Sequence, residues 1–326
     1  MNSIYDAHLP DAYADWVEDT FGWMELDFLI WLLPPACVSS GYQVTLLLVA
    51  LCPLVLIAGI ATALVARRLV EATRGERATS VRGAVVAGLL DSAPVALLIT
   101  FFCVAGVSQT AFSVFLCVSY DYDSASFETR SFLRADLSVS CDGSEEHAQI
   151  KLLGYIFIVL WPVGMLAMYA ALLLRCGPRL RGSQPDDALT RASSFLYRGY
   201  NIEWRWWEVV ELLRRTVLVG FVLLIPTDQS YARIIAGLLV SILYLIALLS
   251  VQPFVSTSDH LMAAICASTL VLIFVSALLV RTYEYIAVEY GPESAQQLMV
   301  FASTDAIAAV LIALCLSVVI VLLALM

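Results

Sequence analysis

Long apolar runs, broken by short polar stretches, set the pattern of this sequence. A helix needs about 20 apolar residues to cross a hydrocarbon core roughly 30 Å thick, and seven runs of that order occur. The pattern predicts spanning helices over about 42–66, from about 84, over about 152–174, ending near Pro226, and over about 231–250, 261–280 and 306–325. The first begins at Tyr42 and is expected to stop at Arg67 and Arg68. The second is unusually long, since 84–118 carries only Asp91 as a charge. Around 35 helical residues reach roughly 52 Å at the usual rise, so its far part is expected to leave the membrane or fold back over it. Residues 26–38 are apolar but too short to span, and Pro34 and Pro35 break a helix interior. They predict an interfacial or re-entrant cap. The expected fold class is all-α, a polytopic membrane helix bundle of about seven transmembrane helices.

Charge predicts the orientation. Of the 18 Lys and Arg residues, 13 fall in two blocks: Arg67, Arg68, Arg74, Arg77 and Arg82, then Arg175, Arg179, Arg181, Arg191, Arg198, Arg205, Arg214 and Arg215. Short loops rich in Lys and Arg stay in the cytoplasm, which puts the N-terminus outside and the C-terminus in the cytoplasm. The other segments agree in sign: 1–41 has seven acidic residues and no Lys or Arg, 119–149 seven acidic residues and two Arg, and 281–305 four acidic residues and one Arg. An acidic tail with its cap is expected over 1–41 and a transmembrane domain over 42–326, with an outer loop at 119–149 and a cytoplasmic loop at 175–205. Residues 1–27 lack the basic and apolar regions of a cleavable signal peptide. The first span is therefore expected to act as a reverse anchor, or the chain to be the membrane part of a longer protein.

Composition agrees with this picture. The chain is 61% hydrophobic and 14% charged, against about a quarter charged in soluble domains, so the lipid bilayer is its expected partner. A net charge of −10 argues against nucleic acid. Acidic outer loops can concentrate cations by focusing the field, although the topology rule alone also accounts for them. The plasma membrane is the default location, and an endomembrane would show the same charge pattern.

Ionisable residues inside apolar runs carry the candidate chemistry. Trp204, Trp206 and Trp207 suit a membrane interface, because an indole is apolar with one polar handle. If the fourth span enters there, Glu208, Glu211, Arg214 and Arg215 lie in the inner half of the bilayer. Spacings of three, four and seven put Glu208, Glu211 and Arg215 on one face, and Glu211 can pair with either arginine. Such groups cost at least about 2.5 to 3.5 kcal/mol each near the centre and normally face protein or water in pairs. A plainer reading has the arginines snorkelling outward, neutralised by the carboxylates. Asp91, the other intramembrane carboxylate, is expected to receive an arginine from the fourth span, to help hold a cation, or to sit in a hydrated vestibule.

The cysteines sort by side. Cys52, Cys103, Cys266 and Cys315 lie in apolar runs as packing residues. Cys37, Cys117 and Cys141 are on the outer side, where oxidation is permitted. A Cys117 to Cys141 bridge would contribute about 3 kcal/mol in chain-entropy terms; Cys37 is then left over, and is the alternative partner for either. Cys176 is a candidate for palmitoylation. His8, His147 and His260 are scattered, and neither HExxH, a Cys/His metal spacing, GxSxG nor a Walker loop occurs. No enzyme, metal site or cofactor is expected.

Five stretches together carry a family resemblance: FGWMELDFLIWLLPPAC, SFLRADLSVSC, IVLWPVGMLAMYAALL, FLYRGYNIEWRWWEVVELLRRTVLVGFVLL and SVQPFVSTSD. In that order they resemble the TRP-like (transient receptor potential-like) C-terminal membrane domain of algal and protist surface proteins, over roughly 21–281 and most specifically over 195–224. The resemblance implies a multi-helix module, often carried behind a large Cys-rich ectodomain, with a role in ion transport. A cation-channel subunit, assembled as a homo-oligomer, is thus the expected function, and a non-conducting anchor or sensor module the alternative. The 281–305 linker holds the place of a pore loop, with Glu284, Glu289 and Glu293 as candidate cation ligands at a pore mouth. Ser268, Thr269 and Ser276 give the sixth span a thin polar stripe, whereas the seventh has only Ser317 in its interior. No selectivity-filter sequence is recognisable.

Overall fold

The computed structural model describes residues 10–21, 41–74, 80–123, 128–180, 188–225, 229–299 and 305–325. The expected cap over 26–38, Cys37 and Pro226 lie outside these. The chain is mostly helical and forms two compact units, Leu32–Thr216, and Met1–Trp31 with Val217–Met326. Among the described residues, five helices are long and apolar enough to cross a membrane: Tyr42–Thr73, Val81–Ser113, Glu145–Gly177, Ser230–Val251 and Thr257–Tyr290.

In the first unit, α1 (Tyr42–Thr73) packs along α2 (Val81–Ser113). Contrary to expectation, Arg67 and Arg68 do not end α1. Both pair with Glu71, at 3.1 and 3.4 Å, one turn further on, and such pairs support a helix rather than stop it. The long second run ends sooner than expected, at Ser113, and becomes strand at Cys117. Gly88 brings α1 and α2 together, since a Cβ there would sit 2.6 Å from the Val65 Cα. Small residues allow this approach where lipid supplies no hydrophobic drive between helices.

The expected outer loop carries a small antiparallel sheet, so the fold is not purely helical. Its strands β1 (Cys117–Asp123), β2 (Glu128–Leu133) and β3 (Asp136–Ser140) lie in sequence order. The Cys117–Cys141 disulfide is present, tying the start of β1 to the residue after β3. Next comes α3 (Glu145–Ile158), capped by the Ser144 hydroxyl, which accepts from the His147 amide at 3.2 Å. A π turn, Val159–Val163, leads into α4 (Gly164–Leu180). Proline lacks an N–H and clashes with the carbonyl four residues back, so Pro162 explains the widened turn. Gly164 fits it, because a Cβ there would meet the Val159 carbonyl oxygen at 3.1 Å. Trp161, fully buried in this turn, donates from Nε1 to the Ala50 carbonyl of α1 at 3.2 Å.

The start of α1 is held from far away in the chain. Gly41 offers no capping side chain, and the Tyr42 amide donates instead to Asp136 Oδ2 of β3 at 3.0 Å. The hydroxyl and amide of Ser138 donate to Asp136 Oδ1 at 2.6 and 3.0 Å. The Ser138 hydroxyl, aided by these amides and opposed by partial desolvation, holds the Asp136 carboxyl below its usual range. Asp136→Ala, which removes the acceptor of the Tyr42 amide, should therefore cost about 0.5–2 kcal/mol, the range for replacing a capping side chain by alanine. A depressed carboxyl contributes stability above its unfolded value of about 3.9 and loses it as pH falls through the lower folded value. Thermal unfolding curves of wild type and variant, followed in detergent, should stay apart above that window and converge below it.

The segment after α4 holds α5 (Ala188–Ala192) and α6 (Trp207–Val219). Thirteen residues in α6 reach only about 20 Å at helical rise, too short to cross alone. The second unit holds an N-terminal helix, Asp11–Phe21, and then α7 (Ser230–Val251), α8 (Thr257–Tyr290), α9 (Pro292–Met299) and α10 (Asp305–Leu325). The N-terminal helix packs on α10, and Tyr13 Oη lies 3.6 Å from Cys315 Sγ. Helix α8 outruns its prediction by ten residues, from 280 to Tyr290, so the expected pore-loop linker is largely helical among the described residues. Arg233, fully buried at the start of α7, donates from Nε to the Ile225 carbonyl at 2.7 Å and from Nη2 to those of Ile225 and Leu223. It satisfies carbonyls left open by the short 3₁₀ turn Phe221–Leu224.

Candidate functional site

The sharpest chemistry gathers around α6. Its first turn follows a 3₁₀ turn, Ile202–Trp204, and this turn sets the three tryptophans differently from the expected belt. Trp206 is exposed and Trp204 half-buried, with ring centroids 5.4 Å apart, while Trp207 is buried. Of the three expected anchors, Trp204 and Trp206 thus reach the protein surface and Trp207 does not.

Glu211 is the hub. Its Oε2 and Oε1 accept from Arg214 Nε at 3.1 Å and Nη2 at 2.5 Å, and Oε1 also accepts from Arg215 Nε at 2.9 Å. A guanidinium fork on both carboxylate oxygens is among the stronger hydrogen-bonded pairs. The side chains of Glu211 and Arg214 are only 12% and 16% exposed, against 43% for Arg215, so the first pair is held inside the protein and the second at its edge. Glu208 keeps apart, accepting from the Tyr200 hydroxyl at 2.7 Å. The Arg215 guanidinium lies 5.3 Å from the centre of the Phe101 ring on α2, a cation–π distance. Phe101 in turn meets Phe195 edge-on at 6.2 Å.

Nearby contacts fasten the same region. The Tyr169 hydroxyl of α4 donates to the Leu97 carbonyl at 2.9 Å and lies 2.6 Å from Thr100 Oγ1, both on α2. Cys176 is buried, with Sγ 3.5 Å from Ser193 Oγ. Its burial removes it as a palmitoylation site. A Cβ at Gly177 would meet an Arg205 guanidinium nitrogen at 2.7 Å, so that arginine lies against α4.

Asp91 does have an arginine, but from the first long helix rather than from α6. Arg68 Nε and Nη2 reach Asp91 Oδ2 at 2.6 and 2.5 Å. The sequence hides this pair because an arginine at the end of an apolar run looks like a stop signal and not like a residue of the helix. Arg233 is also missing from the expected site residues; its signal is an isolated charge in an apolar run.

Within one chain the three carboxylates expected at a pore mouth have separate surroundings. Glu284 is paired with Arg281 at 3.5 Å, and Arg281 Nη2 donates to Ser230 Oγ at 3.3 Å. Glu289 and Glu293 are exposed at the α8–α9 turn. A hollow of ≈ 590 Å³ is lined by Tyr231, Arg281, Tyr283, Glu284 and Tyr285. Among the described residues, one group of Cys, His and acidic side chains brings its ligand atoms within 4.8 Å of one another: Cys117, Cys141 and His147.

Comparison of the chain with protein-family models, with curated proteins and with solved structures finds no match.

Proposed function

We propose that this chain is an integral membrane protein and a TRP-like cation-channel subunit, acting as a homo-oligomer with its N-terminus outside and its C-terminus in the cytoplasm. The supporting observation is the ion-paired hub of Glu211 with Arg214 and Arg215, set in a chain whose helices suit lipid. Charges at membrane depth mark ion paths, relays or gating elements more often than plain packing. In this reading α6 and the 3₁₀ turn after it make the fourth of seven crossings: residues 207–224 come to about 27 Å at helical rise. The hub then works as a charged switch near the inner interface, and Glu284, Glu289 and Glu293 ring the outer mouth.

The alternative is a non-conducting module that anchors or couples an ectodomain. It is favoured by α10, whose interior polar residue Ser317 donates to the Leu314 carbonyl of its own helix at 2.7 Å and so offers a pore little. Cation flux into liposomes separates the two. The purified protein should conduct, charge reversal at Glu211 should alter the flux, and removing all three charges at Glu284, Glu289 and Glu293 should reduce it. Silence from folded protein with its disulfide intact selects the anchor module.

A further inference from the structure

Three ligating groups meet beside the sheet. Cys117 opens β1, Cys141 follows β3, and His147 lies in the first turn of α3, where the Ser144 cap fixes its backbone. The imidazole is 2% exposed. Its Nε2 stands 3.9 Å from Cys117 Sγ and 3.8 Å from Cys141 Sγ, and 3.3 Å from the Val114 carbonyl oxygen. In a tetrahedral zinc site, with Zn–S about 2.3 Å and Zn–N about 2.0–2.1 Å, nitrogen and sulfur ligands lie about 3.6 Å apart. His147 thus already stands near ligand distance from both sulfurs.

We propose that reduction of the Cys117–Cys141 bond turns this corner into a three-donor site for Zn²⁺ or a similar divalent cation, with Cys117 Sγ, Cys141 Sγ and His147 Nε2 as ligands. A dithiol reductant supplies two electrons and two protons; the S–S bond breaks, two thiols form, and the reductant closes to its own disulfide. The metal then displaces both thiol protons, because thiolate is the ligating form. In the disulfide form Nε2 carries the proton that the Val114 carbonyl accepts; metal binding requires the imidazole to hold its proton on Nδ1 instead, which frees the Nε2 lone pair for the metal. The Val114 carbonyl or water is available for the fourth position. The oxidised pair has no thiolate to offer, so bond and metal exclude each other, and either one joins β1 to the end of β3.

The test uses the full chain in detergent micelles, reduced with a phosphine, freed of reductant under anaerobic conditions and titrated with Co²⁺ as a spectroscopic stand-in. One equivalent should bind with thiolate-to-cobalt charge-transfer bands and the strong visible bands of a tetrahedral ion, and Zn²⁺ should displace it. Outer-shell partners alone are worth roughly 10- to 100-fold in metal affinity, so His147→Ala should weaken binding by more than about tenfold. Cys117→Ser with Cys141→Ser should abolish the bands while leaving the remaining cysteines in place. Unreduced protein should bind nothing. As a check independent of colour, Zn²⁺ should shield Cys117 and Cys141 from alkylation, read by mass spectrometry. Absence of the bands in reduced protein that keeps its helical circular dichroism overturns the proposal. So does binding that is unchanged in His147→Ala.

Discussion

Trp161→Ala should destabilise the first unit by up to about 3–5 kcal/mol, the range for emptying the site of a large buried aromatic residue when loss of burial from water is included. The indole is fully buried in the π turn, and its Nε1 is the donor that reaches the Ala50 carbonyl on α1. Lipid tails are as apolar as a protein core, so burial from water is not what is lost between membrane helices. Removing the ring instead leaves a cavity whose lining atoms lose their dispersion partners, together with one interhelical hydrogen bond. Trp161→Phe keeps most of the volume and should cost clearly less. Thermal unfolding in detergent, read by size-exclusion of heated samples, would rank the two variants against Leu174→Ala, whose side chain is 77% exposed. A Trp161→Ala loss no larger than that of Leu174→Ala would refute the packing role.

Glu211→Ala should be comparably severe, at about 3–5 kcal/mol, the cost of breaking a buried pair from one side. It removes the carboxylate that both Nε and Nη2 of Arg214 address, in a setting where the two side chains are 12% and 16% exposed. Arg215→Ala should cost far less, about 0–1 kcal/mol, because that partner is 43% exposed and water screens it. Replacing the pair together, as Glu211→Leu with Arg214→Met, should recover much of the loss, since an apolar pair of similar size can match a buried ion pair. If Arg215→Ala proved as damaging as Glu211→Ala, the edge arginine and not the inner one would be the mainstay of the hub.

The long helices were legible from the sequence because lipid imposes a simple length and composition rule. Five of the predicted spans correspond to helices that satisfy it, and the 231–250 prediction differs from Ser230–Val251 by one residue at each end. Boundaries set by charge were read less well. Arg67 and Arg68 look like a stop in a hydropathy trace, yet a helix that has left the apolar region is free to continue as long as its charges find partners a turn away. The Glu211 pairs were visible as three- and four-residue spacings on one helix. Contacts between distant segments had no such local signal: the Asp136 cap on Tyr42 spans 94 residues, and the approach of His147 to Cys117 spans 30, although the Cys117–Cys141 pair itself was legible from the outer placement of both cysteines. The sheet was hidden for a related reason, because its strands are short and polar, and pairing rather than periodicity defines them.

The small sheet is fastened at both sides. Asp136 grips the first amide of α1, and the Cys117–Cys141 bond locks the sheet just ahead of α3. Mechanically this makes it a yoke. A sideways load on the β1–β2 hairpin is divided between the first turns of two long helices, so that tilting one must tilt the other. Cutting either fastening would turn a rigid crossbar into a hinge and leave the remaining helix to bear the torque alone.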